Sequence, residues 1–137
     1  MAATSTQSPN PLINKLQQDH PDLIFRQGAK FTFRPPKTII LGPPCDNHAL
    51  LTLHELAHAI LKHKDYTLHI ERLKIESEAW NEAKNLAAKY NIPWDEDFAQ
   101  NRLDTYRDWL HQKSLCKNCQ LTRYQDQKGT YHCPHCD

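Results

Sequence analysis

Leu51-Thr52-Leu53-His54-Glu55-Leu56-Ala57-His58-Ala59-Ile60-Leu61-Lys62-His63 is the stretch on which the reading of this 137-residue chain turns. It contains His54-Glu55-Leu56-Ala57-His58, an H-E-x-x-H pattern. On an α-helix, residues four apart lie one above the other, so His54 and His58 present two imidazoles on one face. That separation suits two nitrogens gripping one zinc ion. Glu55 stands about 100° further round the helix. From there it addresses a water at the metal rather than the metal itself, the general-base position of a zinc peptidase. The plainer alternative is a helix with two surface histidines and a solvated glutamate. Leu50, Leu53, Ala57, Ile60 and Leu61 argue against it, because they make the helix largely apolar and buried, and a buried His-Glu-His set needs partners.

A catalytic zinc usually has three protein ligands and an open position for water. A long helix predicted from about Glu71 to Tyr90, stopped by Asn91-Ile92-Pro93, offers Glu71, Glu76, Glu78 and Glu82. Leu73, Ile75, Ala79, Trp80, Ala83, Leu86, Ala87 and Tyr90 define its apolar face. At about 100° per residue, Glu76 falls near the middle of that face, whereas Glu78 and Glu82 fall on the far side, in water. A glutamate amid a buried stripe needs a cation or a hydrogen-bond partner, either a buried Arg or Lys or a metal. With two zinc-type histidines one helix earlier, the metal is the better partner. If the first helix runs from Asp46-Asn47 to His63, then His63 lies about 140° beyond His58 and points away from the metal.

His54-Glu55-x-x-His58 followed by Glu76-Ser77-Glu78-Ala79-Trp80 resembles the gluzincin zinc metallopeptidases, and in length the minimal gluzincins and, more distantly, the ImmA/IrrE peptidases. The resemblance covers about residues 38–90. In that clan a second helix supplies the third ligand in an E-x-x-A-D or E-x-x-A-N pattern, which implies Glu76 as ligand and Ala79 as the small residue. One position departs: where the family has an Asp or Asn that accepts a hydrogen bond from a zinc histidine, this chain has Trp80, whose indole N–H only donates. Some other group must then orient His54 or His58, or catalysis is weaker. The resemblance implies metal-assisted hydrolysis of peptide bonds by an endopeptidase, with Glu55 as general base and Tyr66, His69 or Tyr90 as candidates for oxyanion stabilisation.

Composition sets the frame. The net charge of +1 leaves no strong electrostatic footprint for nucleic acid or an anionic membrane. No apolar run approaches a membrane span, and the leader Met1 to Asn10 lacks the basic and hydrophobic regions of a secretory signal. Four of the five cysteines form two CxxC pairs, a pattern of metal binding in a reducing compartment. The expectation is a soluble, cytoplasmic protein that takes a peptide or protein substrate, binds no membrane, and is unlike a nucleic-acid binder.

The expected fold is α+β. After a flexible polar leader, a short helix over Leu12–Gln18 is capped by Asn10 with Pro11 at its first position. Strands over 23–26 and 30–34 form a hairpin around Gln27-Gly28-Ala29, and Thr38-Ile39-Ile40-Leu41 adds a third strand to a small antiparallel sheet. The strand just before the metal helix could offer an edge to an extended peptide. Cys45 is either a buried small hydrophobe, or a thiol that reaches the zinc and holds the enzyme latent or responds to oxidation. A third helix over Trp94–Lys113 is capped by Asp95 and carries Phe98, Tyr106, Trp109 and Leu110 on one face.

Cys116-Lys117-Asn118-Cys119 and Cys133-Pro134-His135-Cys136 are separated by thirteen residues. Two knuckles at this spacing read as a zinc ribbon with a closed four-thiolate structural site and strands over 124–127 and 129–132. His132 and His135 are then bystanders. Residues 1–113 form the peptidase domain and 114–137 the ribbon, whose role is scaffolding, protein contact, nucleic-acid recruitment or a lid over the cleft. Two zinc ions, one catalytic and one structural, are therefore expected. The competing readings are a non-enzymatic two-zinc module derived from a peptidase, and a DNA-associated protease.

Overall fold

Thr38–Leu41 is the most apolar strand-forming run in the chain, and it takes the centre of the sheet. In the computed structural model, which describes residues 10–137, β1 (Ile24–Gln27), β2 (Thr32–Arg34) and β3 (Thr38–Leu41) are ordered β1-β3-β2. β3 pairs parallel with β1 and antiparallel with β2. The sheet is therefore mixed, and the β1–β2 hairpin expected around Gln27-Gly28-Ala29 does not form. Ile39, Ile40 and Leu41 are buried and need partners on both edges, whereas β1 and β2 carry Arg26 and Arg34 and suit the half-exposed edges. The strand preceding the metal helix has no free edge; the edges are β1 and β2. Gly28 sits where the chain leaves β1, its N–H bonded to Leu41 O, and a Cβ there would collide with Ile40 Cγ2. The leader ahead of Asn10 lies outside the described residues.

Packing divides the described chain into two units. One runs to His63 and includes Glu82–Trp94; the other comprises Lys64–Asn81 and Asp95–Asp137. The division falls inside one continuous helix, α3 (His69–Lys89).

In the first unit α1 (Pro11–Asp19) starts as expected: Asn10 Oδ1 accepts from Leu12 N at 2.9 Å, with Pro11 in the first turn. The helix α2 (His48–Ile60) packs on β3 and β2. Every residue from Leu50 to Ala59 is buried, so the helix is enclosed on all sides. Asn47 stands at its N-terminal flank without a side-chain capping bond. Tyr90 Oη donates to Asp19 Oδ2 at 2.6 Å, tying the end of α3 to the end of α1. Burial and this bond raise the Tyr90 phenol to about 12.

α2 ends at Ile60, not His63. Lys62 takes a left-handed φ of 58°, Lys62 N donates to Ala59 O at 3.2 Å, and His63 N donates to His58 O at 3.0 Å. These are the paired bonds of a Schellman turn. α3 ends in the same way, with Asn91 at φ 57° and Ile92 N bonded to Ala87 O at 2.8 Å. Lys has no local hydrogen bond to favour this conformation, and left-handed backbone costs an ordinary residue about 1–2 kcal/mol. Lys62 is exposed. Lys62→Gly is therefore expected to stabilise the fold by about 0.5–1 kcal/mol, seen as a rise of a few degrees in the thermal unfolding midpoint, and Lys62→Ala to give no rise.

In the second unit Glu71 Oε1 accepts from Leu68 N and Thr67 N at the start of α3, at 2.6 and 3.1 Å. α4 (Glu96–Ser114) is capped by Asp95, whose Oδ1 accepts from Phe98 N at 3.0 Å. Phe98, Tyr106, Trp109 and Leu110 are half-buried, and Ala99 and Leu103 are fully buried between them. The ribbon strands β4 (Tyr124–Gln125) and β5 (Tyr131–His132) pair antiparallel and are shorter than the sequence suggests, because Asp126 folds the connection tightly: its Oδ1 accepts from Lys128 N and Thr130 N. The ribbon docks on the start of α3, where Gln125 Oε1 accepts from His69 N at 2.6 Å and Tyr131 Oη bonds His69 Nδ1 at 2.7 Å. No helix among the described residues is long and apolar enough to cross a membrane.

Candidate metal centres

α2 places His54 and His58 on one face, and their Nε2 atoms lie 3.2 Å apart. α3 turns Glu76 inward on the stripe formed by Ala79, Trp80, Ala83 and Leu86, all buried. One donor atom each from His54, His58 and Glu76 lies within 4.8 Å of the others. The three are only 5%, 7% and 9% exposed, so water does little to satisfy them. Glu78 is exposed and Glu82 half-buried; neither joins the converging set. Periodicity thus points to the glutamate that converges with the histidines, because on a long regular helix the buried face follows directly from the apolar positions.

The donor set suits zinc. A tetrahedral ion with Zn–N near 2.0–2.1 Å puts its ligand nitrogens about 3.3 Å apart, close to the separation of the two imidazole nitrogens. Glu55, 8% exposed, is buried in the same turn of α2 and is not one of the converging donors.

His63 is not among the converging donors either. The αL turn at Lys62 folds it back so that His63 Nδ1 lies 2.9 Å from His58 Nδ1, and the rings meet edge to face at 5.1 Å. With a metal on its Nε2, which faces His54, His58 would carry its proton on Nδ1 and could donate it to His63, which would fix the tautomer and the ring plane. This supplies the orienting contact that Trp80 cannot give. Trp80 instead packs in the interior, 3% exposed, edge-on to Phe98 at 5.9 Å. The sequence concealed the role of His63 because no glycine marks the turn. Partners that orient a metal histidine are typically worth 10–100-fold in metal affinity. His63→Ala is expected to weaken zinc binding at the His54/His58/Glu76 site by about that factor, with the ribbon site unchanged, as read by competition against a chromogenic chelator.

Two of the candidates for oxyanion stabilisation are engaged elsewhere: Tyr90 with Asp19 and His69 with Tyr131. Tyr66 is exposed. Cys45 is exposed, not a buried hydrophobe, and joins no cluster of metal-type donors among the described residues.

The second cluster is Cys116, Cys119, Cys133 and Cys136. Cys116 and Cys136 sulfurs are 3.8 Å apart and Cys119 and Cys133 sulfurs 3.5 Å apart. A tetrahedral zinc with Zn–S near 2.3 Å has sulfur–sulfur edges of about 3.8 Å. The knuckle is built to hold thiolate. Backbone N–H groups of Cys119 and Asn118 draw the Cys116 thiol down to about 6. Hydrogen bonds with Cys119 and Cys116 push Cys136 up to about 12. His132 is held by Asp126, Nε2 to Oδ2 at 2.8 Å, which raises the imidazole pKa and lowers that of the carboxyl. His132 and His135 stay outside the four-sulfur cluster. Compared with known proteins, the chain matches no family model, and no curated protein or solved structure is significantly similar to it.

Proposed function

We propose that this protein is a zinc-dependent peptidase of gluzincin type, with His54, His58 and Glu76 as ligands of a catalytic zinc and Glu55 as its general base. One observation carries the reading: two imidazoles and a carboxylate converge in a buried site while a further buried glutamate, adjacent in sequence to the first ligand, stands outside the converging set. A purely structural metal site has no use for that fourth group. Zinc held there would lower the pKa of a water and polarise the scissile carbonyl. Glu55 accepts the proton of the attacking water and passes it to the leaving amine, a role that contributes typically 10²–10⁴-fold. With zinc on His58 Nε2, His63 would hold His58 in the metal-binding tautomer.

The test is a mixture-based peptide library incubated with the full chain supplied with zinc, in parallel with Glu55→Gln. The variant keeps the side-chain shape and removes the base. It is expected to retain both zinc ions and to lose on the order of 10²–10⁴-fold in kcat/KM. A wild type that carries both ions and cleaves nothing, or a variant as active as wild type, would replace this reading with a non-enzymatic two-zinc binding module.

A further inference from the structure

Away from the histidine site, the second unit contains a cavity of about 720 Å³ between the ribbon and the helices it docks on. That volume lies within the ~300–1,000 Å³ range of small-molecule sites. His69, Lys113, Lys117 and Arg123 line it together with the rings of Trp109 and Tyr131 and the Cys116 side chain, and no Asp or Glu is among its lining residues. Lys113 and Lys117 flank the junction of α4 with the first knuckle, and Arg123 precedes β4. Positive charge thus collects on this lining with no carboxylate to offset it, the Cys116 sulfur being the one anionic-type group beside it.

Arg123 is fixed rather than trailing in solvent. Its Nη2 donates to Lys113 O at 2.8 Å, and its guanidinium lies over the Tyr131 ring at 4.5 Å. Its Nε is shielded from solvent and has no hydrogen-bond partner, a donor desolvated and left unsatisfied. His69 feels the same field: burial first, then Lys113 and Arg72, hold its imidazole below the usual histidine range.

We infer that this cavity binds a phosphate ester. The Arg123 guanidinium edge left open by its contacts with Lys113 O and Tyr131, with two ammonium groups, matches a tetrahedral, multiply acceptor-bearing anion, whereas a carboxylate would leave cations over. The ester could be carried by a free nucleotide or by single-stranded nucleic acid, which share this chemistry. The inference does not depend on the peptidase reading.

The experiment uses the full chain purified with zinc. Three probes are titrated calorimetrically: inorganic phosphate, adenosine monophosphate, and a twelve-residue oligothymidylate. The variants are Lys113→Gln, Lys117→Gln and Arg123→Gln, with Lys30→Gln, an exposed lysine of the other unit, as control. Zinc content is checked in each, since Arg123 also braces the ribbon. At least one phosphate probe is expected to bind saturably, with Lys113→Gln and Lys117→Gln each weakening it about fivefold or more and Lys30→Gln having no effect. Adenosine monophosphate competing as well as the oligonucleotide identifies a free ester as the source. An oligonucleotide that binds far more tightly, with a log–log salt slope reduced by about 0.7 in each lysine variant, identifies the nucleic-acid backbone. The inference is overturned by the absence of saturable binding to all three, or by binding that Lys113→Gln and Lys117→Gln leave unchanged while zinc content is intact.

Discussion

Cys133→Ser is expected to unfold the ribbon. In residues 114–137 the buried positions are Cys116 and Cys133, 6% and 3% exposed. The segment therefore has no apolar core of its own beyond its clustered cysteines, so its folding is expected to be coupled to metal binding. Structural zinc sites of this kind bind with about 10–16 kcal/mol near neutral pH. Loss of one of four thiolates removes a share of roughly 3 kcal/mol if the energy is divided evenly. It also leaves Cys136 N without the Cys133 sulfur it bonds at 3.3 Å. Amide exchange over residues 114–137 is expected to become fast in the variant, and in wild type after chelation. The start of α3 is expected to loosen with it, because Gln125 no longer caps His69 N. Because all four thiols must lose their protons to hold the ion, zinc affinity is expected to fall as pH drops. Slow exchange in chelated wild type would mean that the ribbon folds on contacts other than the metal.

The second large effect belongs to Glu76. Glu76→Ala removes one of three converging donors and is expected to weaken zinc at the histidine site by about 10²-fold, on the same share of ~3 kcal/mol per ligand. The matched control is Glu78→Ala, which changes an exposed residue two positions away on the same helix and is expected to leave affinity unchanged. Linkage turns this into a stability difference. Zinc at 100 times the dissociation constant stabilises a folded protein by about 2.7 kcal/mol. At a hundredfold weaker site the same concentration gives only about 0.4 kcal/mol. Thermal unfolding with the ribbon already saturated is expected to show a zinc-dependent rise of roughly 10 °C in wild type that nearly vanishes in Glu76→Ala. A metal stoichiometry of two that survives Glu76→Ala with undiminished affinity would remove Glu76 from the ligand set.

The donors that converge were legible in the chain because their placement is a local matter. Four residues of helix align His54 with His58 whatever surrounds them, and the apolar stripe of α3 fixes the side on which Glu76 falls. The two CxxC knuckles need only their own backbone turns and the thirteen-residue span. Asn10 and Asp95 cap their helices through bonds that span two or three residues, so those ends were legible too.

Strand order was decided by the tertiary structure. Three short strands with turns between them admit both a β1–β2 hairpin and the observed β1-β3-β2 arrangement, and the choice rests on which strand gains most from being covered on both edges. The same holds for His63. Its position follows from where α2 stops, and a lysine in the left-handed region gives no signal in the sequence; helix packing, not propensity, set that end. The cavity under the ribbon is the clearest case. Residues 102–137 carry six Lys or Arg against four Asp or Glu, a surplus too small to mean anything along the chain. The docking of the ribbon on α3 and α4 gathers Lys113, Lys117 and Arg123 around one space and leaves the carboxylates off its lining. The sequence alone determined which metal-type donors come together, since donor spacing is written in a few residues of helix or turn. Which charges face one another is a property of segments distant in sequence, and packing alone decides it.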